Sequence, residues 1–75
     1  ATVPVNVAIG DKVAEAAANA AVGYLKGLPG VITLTNRVEA VQVGIGAGIA
    51  KASETGQQVD RKELETFVQQ VVAKI

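Results

Sequence analysis

The chain has 75 residues, no cysteine, no histidine, and as many basic as acidic side chains, seven of each. A chain this short makes one domain, residues 1–75, and buries only about 60% of the surface its unfolded form exposes. Disulfide staples and thiolate or imidazole metal sites are excluded, and the even charge supplies no cationic face of the kind that nucleic-acid phosphates require.

Nearly half of the residues, 49%, are apolar, yet the aromatics are only Tyr24 and Phe67, and the bulk comes from alanine, valine and isoleucine. Side chains of this size let backbones approach closely, but each one buries little area. A helical core built from them is thin and gains from neighbours. Self-association, or docking in a larger assembly, is therefore the expected source of extra stability.

In chain order, residues 1–10 come first, with Val3, Val5, Val7 and Ile9 on one side of an extended chain. That is the period-two signal of an edge strand or an apolar arm. Pro4 cannot donate to a ladder, which favours the arm. The helical module is then expected over residues 11–75. Asp11 is placed to cap a helix near 11–27, along which Val13, Ala17, Ala20, Ala21, Tyr24, Leu25 and Leu28 recur at helical spacing. Gly27, Leu28, Pro29 and Gly30 end it.

The middle segment fits two templates. Asn36 followed by Glu39 resembles a capping box, and Val38, Val41, Ile45, Ile49 and Ala52 then repeat as in a helix near 36–54. Val41, Val43, Ile45, Ala47 and Ile49 also alternate strictly, which suits an α+β alternative with a small hairpin at 31–49. Three glycines, at 44, 46 and 48, would cost a helix roughly 1 kcal/mol each relative to alanine, so a helix here needs tertiary packing. The last segment is plainer. Asp60 precedes Glu63 by three residues, and Leu64, Phe67, Val68, Val71, Val72 and Ile75 form one apolar face of a helix near 60–75. The fold class expected is mostly α: an extended arm followed by about three short helices.

The chemistry-bearing residues point away from catalysis. Ser53 is the lone serine, with no histidine or cysteine to activate or replace it. Gly44, Gly46 and Gly48 lack the spacing of a dinucleotide fingerprint and the Gly-Lys-Ser/Thr ending of a phosphate loop. Asp60, Glu63 and Glu65 sit beside Arg61 and Lys62, as a solvated helix start does. No catalytic residue, cofactor or metal is expected.

What stands out instead is contact surface. Gly44 and Gly48 have the small-xxx-small spacing that opens a groove for another backbone, and Gly23 and Gly27 repeat it. Gly44 and Gly48, with Val3, Val5, Val7 and Ile9 of the arm and Leu64, Phe67, Val68 and Val71 of the last helix, form the candidate interface. The function expected is a structural or assembly protein that packs against protein as a homo-oligomer, such as a small capsid or tail component of a virion. The alternatives are an interfacial membrane-associated protein and a monomeric module that binds a peptide or helix. A soluble chain, cytoplasmic or virion-associated, suits the absence of any apolar run of about 18 residues.

Overall fold

A computed structural model describes residues 10–75, which form three helices: α1 (Asp11–Lys26), α2 (Leu34–Thr55) and α3 (Arg61–Ala73). No strand occurs among the described residues, so helix replaces the hairpin alternative at 31–49. Val3, Val5, Val7 and Ile9 of the expected arm lie outside the described residues.

Local chemistry explains each helix end, and two ends differ from expectation. Asp11 does not cap α1. Gly10 does, at φ 81°, without a side-chain hydrogen bond, while Asp11 is the first helical residue and places its charge at the positive end of the dipole. The start of α2 lies three residues before the expected capping box. Thr33 Oγ1 accepts from the Asn36 N–H at 3.1 Å, and the Thr33 N–H donates to Asn36 Oδ1 at 3.0 Å. The box expected between Asn36 and Glu39 is absent because Asn36 is already the third helical residue of the Thr33 box, and the Glu39 carboxylate instead accepts from the Tyr24 hydroxyl at 2.8 Å.

Gly56 closes α2 in a left-handed conformation, φ 73°, which frees the Gln57 N–H to donate to the Ala52 carbonyl at 2.9 Å. Asp60 then caps α3 as its sequence position implies, its carboxylate accepting from the Lys62 and Glu63 N–H groups at 2.9 and 3.3 Å.

Three contacts fix the helices as an antiparallel set. Tyr24, near the end of α1, reaches Glu39 in the second turn of α2. Arg37 Nη1, in the first turn of α2, donates to the Val72 carbonyl at the end of α3 at 2.8 Å. Gly10, at the start of α1, lies against the Gln57 side chain just beyond α2. Arg37 thereby adds a charged donor to a carbonyl of the last turn of α3, at the negative end of that helix's dipole.

The core lies where the three helices meet. Val13, Ala17, Ala21 and Leu25 of α1 face Ala40, Val41, Ile45 and Ala52 of α2, with Leu64, Val68 and Val72 of α3 completing it. No polar or charged residue is buried with them. Phe67 is only half-buried at the edge of this cluster, so Leu64 and Val68, fully enclosed, anchor α3 in its place.

Gly44 and Gly48 set how closely α2 can lie. A methyl group on Gly44 would stand 2.7 Å from Val68 Cγ1 and 3.0 Å from the Ala17 carbonyl oxygen. One on Gly48 would stand 2.8 Å from Leu64 Cδ2 and 3.3 Å from the Ala17 methyl. Both glycines are therefore spent on contacts within the chain. The Gly23 and Gly27 pair is not: open space surrounds Gly23, and Gly27 meets only carbonyls of its own helix end.

Gly46 lies between the two close contacts, exposed, with nothing within 4 Å of where its Cβ would be. The three glycines should therefore respond with opposite signs. Gly44→Ala should lose ~1–3 kcal/mol, because the Ala17 backbone cannot move aside as a side-chain tip can. Gly46→Ala should gain about 1 kcal/mol from helix propensity. Urea or thermal melts of the two variants test this, and a stabilised Gly44→Ala would contradict the close approach.

Candidate protein-docking surface

Because the helices run antiparallel, they sort the side chains into two poles. At one pole the end of α1, the start of α2 and the end of α3 come together. At the other are the start of α1, the end of α2 and the start of α3.

The first pole carries apolar side chains that the core does not use. Val31 is 88% exposed in the turn before α2, and Leu34 and Val38, one helical turn apart on α2, are 77% and 55% exposed. Beside them an open groove of about 220 Å³ runs between α2 and α3, lined by Arg37, Val38, Val41, Gln69, Val72 and Ala73. The Val72 carbonyl that Arg37 binds also accepts the Ile75 N–H at 3.1 Å, which holds exposed Ile75 at this same end. Arg37 is the one charged residue in the groove lining, and its guanidinium is already engaged by that carbonyl.

Charge divides between the poles. The far pole holds six carboxylates, Asp11, Glu15, Glu54, Asp60, Glu63 and Glu65, against the cations Lys12, Lys51, Arg61 and Lys62. The groove pole holds Lys26, Arg37 and Lys74 against Glu39. A neutral chain is thus acidic by two charges at one end and basic by two at the other. Helix dipoles, about half a charge at each terminus, trim this separation without reversing it. The single ion pair among the described residues, Lys51 to Glu54 at 2.9 Å, is exposed and lies within the acidic pole.

The residues singled out from sequence divide accordingly. Gly44, Gly48, Leu64 and Val68 are buried inside the folded chain, and Phe67 and Val71 are half-buried on α3. Of the exposed large apolar side chains, Val31, Leu34, Val38 and Ile75 lie at the groove pole, while Val43 and Ile49 lie further along α2 and are less exposed than these four. The sequence contains a signal for the groove-pole group: Leu34 and Val38 continue the apolar repeat of α2 ahead of Val41, the first buried residue of that repeat.

No group of three or more carboxylates among the described residues is arranged to hold a metal ion, and no described helix is long and apolar enough to cross a membrane. No family model matches the chain, and no curated protein or solved structure is similar enough to it to count as a match.

One polar contact braces this pole and carries a pH signature. The hydrogen bond from Tyr24 to Glu39 raises the phenol pKa above its ordinary 10.0, because ionisation would forfeit it; partial removal from water and the Glu39 charge act the same way. A raised folded-state pKa means that the contribution is present in full below about pH 10 and fades as pH rises through the raised value. The wild-type chain should therefore melt slightly above Tyr24→Phe at neutral pH. That gap should close in alkaline solution; a gap independent of pH would show that the hydroxyl contact contributes nothing.

Proposed function

We propose that this chain is an assembly module, a structural protein that packs against further copies of itself through the apolar pole around Leu34 and Val38. The observation that supports this reading most is the exposure of those two residues beside an apolar groove in a domain whose own core is thin. Covering a leucine or valine fully is worth about 1.5–3 kcal/mol, a large fraction of what a small domain has to spare. Opposite charge at the two poles supports a second copy as the partner, since copies can approach with unlike charges facing. Within this class, a repeated component of a virion suits a small Ala/Gly/Val-rich subunit that gains stability from identical neighbours.

Light scattering over a range of concentrations tests the proposal. The wild-type chain should give a mass above the 7.6 kDa of a single copy at micromolar concentration. Leu34→Asp should return it to 7.6 kDa without lowering the melting temperature, because Leu34 takes no part in the core. A wild-type mass of one copy at every concentration would contradict self-assembly, and flotation of the chain with lipid vesicles would then favour an interfacial role.

A further inference from the structure

We infer that the groove of one copy receives residues 1–9 of the next, so that copies join head to tail. This rests on the self-assembly reading above and specifies its contact. Three observations lead to it.

The first is where the segment is rooted. Residues 1–9 precede Gly10, which lies against Gln57 at the acidic pole, whereas the groove lies at the basic pole. The second is reach. From the level of Gln57 back to Val38 is nineteen positions along α2, about 28 Å at 1.5 Å per residue. Nine residues drawn out fully span at most about 30 Å. Within one chain only about the first residue would arrive level with Val38, leaving Val3, Val5, Val7 and Ile9 behind. Between copies stacked acidic pole to basic pole, the same residues enter directly.

The third is chemistry. Residues 1–9 contain no charged side chain, and Val3, Val5, Val7 and Ile9 alternate at the period-two spacing that matches one face of a strand. The groove is lined by Val38, Val41, Val72 and Ala73 together with Gln69 and Arg37, one nitrogen of whose guanidinium donates to the Val72 carbonyl. An apolar segment without charged side chains meets a groove walled mostly by apolar side chains, while the poles around them carry opposite charge. A two-fold contact of groove on groove would instead set two basic poles against each other. A head-to-tail contact does not close on itself after two copies, so it builds rings or filaments.

Complementation between full-length variants is the test. Val38→Asp spoils the groove and leaves residues 1–9 intact; Val5→Asp with Val7→Asp does the reverse. Each variant alone should scatter as a single copy, and an equimolar mixture should give a species of two copies. A synthetic peptide of residues 1–10 in excess should also dissociate the wild-type assembly, a result that needs no variant to fold. Assembly of the Val5→Asp, Val7→Asp chain at the wild-type mass would overturn this contact while leaving self-assembly standing. A mixture that remains single copies would overturn it as well, as would a lowered melting temperature of the monomeric arm variant, which would place the segment on its own chain.

Discussion

The approach of α2 to α1 and α3 governs the rest of the molecule. Gly44 and Gly48 lie one helical turn apart on the face of α2 that meets Ala17, Ala21, Leu64 and Val68: a methyl group on Gly44 would meet the Ala17 backbone, and one on Gly48 would have to displace the end of Leu64. Alanines on α1 complete the fit, since Ala17 and Ala21 present almost nothing beyond their backbone. Dispersion between closely packed backbones substitutes here for the large side chains this chain lacks. The arrangement has a cost: three glycines make α2 a poor helix by itself, by roughly 3 kcal/mol relative to alanine. That deficit is offset only while the helix is docked, so α2 and its packing form together or not at all.

From that close antiparallel set follows the polarity of the surface. Packing α2 against the whole length of α1 places Tyr24 beside Glu39 and Gly10 beside Gln57. The acidic starts of α1 and α3 then meet at one end, and the apolar start of α2 is left at the other. Neither pole is visible in the net charge, which is zero. Each arises only because chain segments far apart in sequence share an end of the bundle. The groove has the same origin: Arg37, drawn to the Val72 carbonyl, ties α2 to the last turn of α3, and the space beside this contact is walled by valines from both helices.

How far the sequence reveals this depends on the range of the interaction. α3 is legible because its determinants are local: Asp60 caps the N–H groups two and three residues on, and Leu64, Val68 and Val72 repeat at four. α2 is ambiguous because its glycines fit alternation as well as a helical repeat, and what decides between them is the packing of Gly44 and Gly48 against Ala17, far away in the chain. The position of its cap is ambiguous for a local reason: Thr33 with Asn36 and Asn36 with Glu39 both have capping-box spacing, and the first is the one that forms. Leu34 and Val38 fit the same apolar spacing as the buried residues of α2, and their exposure is decided by tertiary placement that the spacing does not encode. Leu64 and Val68 show the converse, apolar side chains that suit a partner surface equally well but are enclosed by α1 and α2.

The central claim is that α2 is a helix by virtue of its docking, and hydrogen exchange of the Gly44, Gly46 and Gly48 amides at increasing urea tests it most directly. If docking and helix formation are one event, all three amides should exchange with the free energy and urea slope of global unfolding. Exchange of these amides through a local opening, at lower free energy and with little urea dependence, would show that the glycine segment frays independently and would contradict the account.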